Sequence, residues 1–192
     1  MNLLQRYIVW LRRIAHCRGF GVQSPSAYRF IRYVISEHYP YYAYDDLRET
    51  LPEIDWLIRK RMELYFRIVN FCRPSVFVDY STDSSILAAY AAKGCHATRT
   101  VNALGGQDFA GPVRLVRVCP VKGSEDFLAK ALEMADESSI FIIEDIAVDD
   151  TARRMWQTLV ENDKVSVSYD LYYCGVVFFD TKRNKENYKV NF

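Results

Sequence analysis

The tightest constraint on this chain lies near its end, where two strand-like runs, 165–171 and 176–179, sit only four residues apart around Gly175. A parallel pair needs a crossover of a dozen or more residues, so these two runs must form an antiparallel hairpin. The stretch between Pro74 and Glu161 reads differently. Val76-Phe77-Val78 is a short apolar run of the kind buried on both faces of a sheet, and 84–92 is alanine-rich and helical, ending at Lys93-Gly94. Thr100-Val101 is a weak strand and 113–118 a better one. Residues 127–135 are helical, Ile140-Phe141-Ile142-Ile143 is the strongest strand, and 150–161 is a further helix. Strands alternating with helices and closed by a hairpin predict an α/β fold, mostly parallel with a C-terminal antiparallel strand. The run 182–189 reads as a solvated tail.

Upstream of Pro74 the period is helical. Leu3, Leu4, Tyr7, Ile8, Leu11 and Ile14 share one face of a first helix, with Arg6, Arg12 and Arg13 largely off it. The simplest reading is a helix docked by its apolar face with a solvated basic face. Attachment to an anionic membrane surface or to a nucleic-acid backbone is the alternative. Gly19 and Gly21 then permit a tight turn, and Ser24-Pro25 is an N-cap and first-turn pair for a second helix, 25–36. That helix start, beside Arg18, either is a simple capped turn or holds a phosphate or carboxylate. Residues 38–46 cluster tyrosines around Pro40 and read as a loop, its rings, including Tyr41 and Tyr42, lying on the core or over a planar ligand. A third helix spans 54–72. Residues 1–72 thus form a helical cap and 73–192 the sheet-containing core, together one compact unit.

Composition narrows the function classes. The chain has 192 residues with 25 basic and 24 acidic side chains, a balance that argues against a whole-surface grip on nucleic acid. The first acidic residue, however, is Glu37, after six arginines. Five scattered cysteines without a C-x-x-C pair suggest free thiols in a reducing compartment rather than disulfides or zinc. The basic start lacks a cleavage site, and no stretch reaches the ~18 apolar residues of a spanning helix, so a cytoplasmic protein without a transmembrane segment is expected. His16, His38 and His96 show no ligand spacing, and no metal is expected. G-x-S-x-G, Walker and H-E-x-x-H patterns are absent, which disfavours hydrolase and NTPase chemistry.

Several segments carry a resemblance. Gly19-x-Gly21-x-x-Ser24-Pro25 after a basic start, Glu144-Asp145-Ile146 ending a strand, Met155-Trp156 in the next helix, then Asp170-Leu171 and Gly175-Val176-Val177-Phe178 resemble a bacterial branch of the class I S-adenosylmethionine-dependent methyltransferases. The resemblance implies a Rossmann-like methyltransferase sheet and S-adenosylmethionine as cofactor. It also implies a cofactor site in the turn after the first strand, where Asp79, Ser81, Thr82 and Asp83 stand, and at Asn102, where the family's ribose-holding acid is expected.

This chain departs from that pattern in its middle. The turn Asp79-Tyr80-Ser81-Thr82-Asp83-Ser84-Ser85 has no glycine, so side chains occupy space that a ligand would need. Asn102 accepts hydrogen bonds more weakly than a carboxylate. The link 105–112 is too short for a crossover helix, which implies that one βα unit is missing at the sheet edge. Asp145, at the carboxyl edge of an apolar strand, is the catalytic candidate, or else a structural residue paired with an arginine. Its neighbour Glu144 is expected on the opposite side of the strand. Two functions follow. One is a methyltransferase-like pseudoenzyme serving as a binding or interaction module; the other is an active enzyme on a small molecule. Small-molecule or protein partners are expected, with Arg18, Ser24, Tyr41 and Tyr42 as candidate contacts.

Overall fold

The computed structural model describes residues 3–107, 109 and 111–192, apart from the side chain of Leu3; Asp108 and Ala110 of the short link lie outside the described residues. The helices are α1 (Leu3–Arg12), α2 (Pro25–Phe30), which runs on into a π turn at Ile31–Ile35, α3 (Tyr42–Thr50), α4 (Trp56–Cys72), α5 (Ser84–Gly94), α6 (Ser124–Glu133) and α7 (Asp150–Glu161). The strands are β1 (Val76–Tyr80), β2 (Arg99–Asn102), β3 (Leu115–Val118), β4 (Ile140–Glu144), β5 (Val167–Asp170), β6 (Cys174–Phe178) and β7 (Glu186–Lys189). They form one seven-stranded sheet among the described residues, ordered β2-β1-β3-β4-β6-β5-β7, in which β6 runs against its neighbours β4 and β5.

Strand alternation splits the core in two. Phe77, Leu115, Ile140 and Ile142 face α4, α5 and the N-terminal helices, while Val78, Val116, Phe141 and Ile143 face α6 and α7. Helices on both faces explain why these strands are continuous apolar runs. The expected hairpin is β5–β6, and its Gly175 is required: a Cβ there would lie 2.3 Å from Trp156 of α7. Among the described residues no helix lies between β2 and β3, and Phe109 of this link packs edge-on against Phe127 on the α6 side of the sheet.

Three expectations need correction. Residues 182–189 are not a solvated tail, because Glu186–Lys189 adds a parallel strand beside β5, with Tyr188 stacked on Tyr169 and Val190 buried. The tyrosine segment 38–46 is not all loop. Tyr42 opens α3, held because the rings of Tyr41 and Tyr44 pack against Phe66 of α4. The first helix is turned over. Leu4, Tyr7, Ile8, Leu11 and Ile14 face solvent, whereas Arg6 and Arg13 face the body of the protein. Arg6 lies over Trp56 and near Asp55, and Arg13 binds Asp170 at 3.0 Å and the Val190 carbonyl at 3.1 Å. These contacts with acidic and carbonyl groups select the basic side of the helix for docking.

Candidate functional site

In open α/β sheets, ligands bind at the carboxyl ends of the strands, where successive connections leave in opposite directions. Here that point is the gap between β1 and β3, since the chain passes from β1 outward to β2 and then back across to β3. Asp79 and Arg117 are register partners across this gap. Both point toward α4, and both are fully buried.

Arg117 organises the polar groups around it. Its Nε donates to Asp79 Oδ1 at 2.8 Å, its Nη2 donates to Ser81 and Asp83, and its Nη1 lies 3.4 Å from Glu144 Oε1. The guanidinium faces the ring of Tyr65 and the Met62 sulfur. The Asp79 carboxylate also accepts from the Ser81 hydroxyl at 2.7 Å and from Ser84. Glu144 accepts from the Tyr65 hydroxyl at 2.7 Å and from Arg61, and the same Arg61 Nη1 reaches Asp145 at 2.7 Å. Two guanidiniums thus face four carboxyls at the ends of β1, β3 and β4. Burial, opposed by Arg61, Arg117 and Tyr65, raises the Glu144 carboxyl above its ordinary value. Asp83 is held below its own value: burial pushes it up, and the Arg117 guanidinium and the Ser81 hydroxyl outweigh that. Burial pushes the Cys119 thiol, at the end of β3, far up.

The gap is closed on its other side as well. The β1–β3 ladder continues through Cys119 N–H donating to the Tyr80 carbonyl at 3.0 Å, and the Tyr80 hydroxyl donates to the Lys122 carbonyl at 3.0 Å. The Tyr80 ring stacks on Phe127. Gly123 makes room for this arrangement, with φ at +84° and a hypothetical Cβ 2.6 Å from the Tyr80 oxygen.

The residues picked out from sequence therefore sort into three groups. Asp79, Ser81, Asp83 and Asp145 are brought together, but through internal ion pairs and hydrogen bonds; Thr82 is exposed. Asn102 folds onto its own turn, its Oδ1 accepting from Gly105 N–H at 2.9 Å. The remaining four lie elsewhere. Arg18 lines a cleft of about 560 Å³ that also holds Lys60, whose ammonium lies 4.3 Å from the Phe192 ring centre and is lowered by burial to about 8. Ser24 caps α2 by accepting from Ala27 N–H, Tyr41 packs on Tyr44 and Phe66, and Tyr42 is 93% exposed.

Glu144 corrects one expectation. It and Asp145 converge on Arg61, because Asp145 has φ at +53° and leaves the strand, so strict alternation ends at Glu144. Sequence reading missed Arg117 and Arg61. The available signal was Arg117 itself: a charge inside Leu115-Val116-Arg117-Val118, a strand buried on both faces, requires buried partners. Beside Asp145 lies a second cleft of about 560 Å³, walled by Ile8 and Arg12 of α1, Leu57 of α4, Val148, Tyr172 and Tyr173.

No family model matches the chain, and no curated protein does. Solved structures do match. One is the O-methyltransferase from Bacillus cereus in complex with SAH, with a TM-score of 0.51 and 12% identity over 77% of this chain and 96% of that one. Another is an SAH-bound methyltransferase from Podospora anserina, with a TM-score of 0.53 and 10% identity over 82% of this chain and 96% of that one. The chain has the Rossmann-like methyltransferase fold. A third match with this methyltransferase fold is the O-methyltransferase TomG from Streptomyces achromogenes in complex with SAM, at a TM-score of 0.51 and 10% identity. Identities this low speak for the fold alone.

Proposed function

We propose that this protein keeps the methyltransferase fold without using S-adenosylmethionine and serves as a binding module. The observation that carries the reading is Arg117. It fills the gap between β1 and β3 from the α4 side and engages Asp79, Ser81 and Asp83, three of the residues a cofactor would have to contact. The residues do not fit the cofactor. The turn after β1 offers side chains where a close backbone approach is needed, and the Asn102 amide oxygen is already engaged within its own turn. Under this reading Asp145 is the structural partner of Arg61. The cleft beside it is the place for a small-molecule or protein partner.

One specific observation favours a second reading, an active methyltransferase on a small molecule. A cleft containing the partly exposed Asp145 opens at the carboxyl edge of β4, where ligands sit in such sheets. Thermal melting with millimolar S-adenosylhomocysteine separates the two. A ligand at 100 times its Kd stabilises the native state by about 2.7 kcal/mol, which moves a melting curve clearly. The proposal expects no shift. A shift that Asn102→Ala weakens would sink it in favour of the enzyme.

A further inference from the structure

Among the described residues no element covers the outward face of α1. Leu4 is 68% exposed, Tyr7 64% and Leu11 59%, and Phe20 in the following turn is 87% exposed; Trp10 and Ile14 continue the surface. Scattered exposed apolar residues are ordinary, but a run along one helix at three- and four-residue spacing is a continuous patch. Its position is not a docking failure of a helix that should have turned inward, because the inner side is anchored by Arg13 to Asp170 and the Val190 carbonyl and by Arg6 over Trp56.

The charges around this patch point to one occupant. Arg12 and Arg18 flank it, and Arg29 and Arg32 follow on α2 and its π turn; all four are exposed and have no ion pair among the described residues. No acidic residue precedes Glu37. A symmetric contact between two copies would set this basic segment against itself, which like charges oppose. A nucleic-acid backbone would satisfy the arginines and leave the leucines in water. An anionic lipid surface takes both, since leucine and aromatic side chains enter the acyl boundary while arginines meet the headgroups.

We infer that α1 and the turn through Phe20 form an interfacial docking surface for anionic lipid membranes, with Leu4, Tyr7, Leu11 and Phe20 inserting and Arg12 and Arg18 at the headgroups. The inference rests on α1 and holds whether or not a cofactor binds at the sheet. The cleft beside Asp145, walled in part by Ile8 and Arg12, then lies at the lipid surface.

Flotation of the full chain with phosphatidylcholine vesicles, with and without phosphatidylglycerol, tests this. The protein is expected to float with the anionic vesicles and to be released by high salt. Arg12→Gln combined with Arg18→Gln should weaken partitioning roughly thirtyfold, and Leu4→Ser combined with Leu11→Ser by roughly tenfold or more. Both double variants should melt like the parent, because the replaced side chains are exposed. Absence of flotation, flotation unchanged in both variants, or equal flotation with neutral vesicles would overturn the inference. So would self-association in sedimentation that Leu4→Ser with Leu11→Ser abolishes, since the patch would then be covered by a second copy.

Discussion

Replacing Arg117 with methionine leaves Asp79 and Glu144 buried without their shared cation, while the guanidinium's neighbours Met62 and Tyr65 accommodate the new side chain. Removing one partner of a buried ion pair costs about 3–5 kcal/mol, so denaturant unfolding of Arg117→Met should show a loss of that order. A loss under about 1 kcal/mol would mean that the network contributes no more than a surface pair. Glu144 responds to pH in a defined direction. Its folded pKa lies above the ordinary value of 4.5, chiefly through burial. A raised folded pKa makes its contribution fully present below pH 4.5 and lost as pH rises through the folded value. Glu144→Gln removes that loss, so its stability relative to wild type should increase with pH above 4.5 in unfolding titrations. A relative stability that fell over that range would place the proton elsewhere in the network. At this scale the sequence was partly legible. The acids at strand ends were visible, but the convergence of Glu144 and Asp145 on Arg61 depends on the left-handed backbone at Asp145, which residue patterns do not announce.

Elements were more legible than residues, because the period of apolar positions is set by which faces are buried. The hairpin followed from the short interval at Gly175, and the helix read over 150–161 is α7, which Asp149 caps by accepting from Ala152 N–H at 2.8 Å. Two elements escaped that logic. β7 alternates exposed and half-buried residues in a polar stretch, and it forms because β5 offers it a ladder and Tyr169 a ring to stack on. The docking side of α1 reversed because ion pairs and carbonyl contacts, absent from an amphipathicity argument, hold Arg6 and Arg13 inward. The contact between β6 and α7 carries its own prediction. Gly175→Ala drives a methyl into Trp156 and should destabilise by about 1–3 kcal/mol or more, as overpacking does. Combined with Trp156→Leu the two losses should be less than additive in a double-mutant cycle, because the indole that clashes is gone. Additive losses would show that the strand distorts for another reason.

At the scale of the whole molecule, the fold could be read as a mostly parallel sheet with a terminal hairpin, and the solved methyltransferases overlay on most of the chain. The site was less accessible, because it is built from pairs distant in sequence: Asp79 with Arg117, Tyr65 with Glu144, Arg61 with Asp145. The turn after β1 has no glycine, and a guanidinium lies buried at the gap between β1 and β3. That buried guanidinium is also the most direct point of attack on the account. The Arg117 Nε–H, bonded to Asp79 at 2.8 Å and shielded from water, should give a resolved NMR signal protected from solvent exchange. Under the proposed function that signal should keep its position and its protection when millimolar S-adenosylhomocysteine is added. A signal that moves, or that loses its protection as the ligand is titrated in, would contradict it.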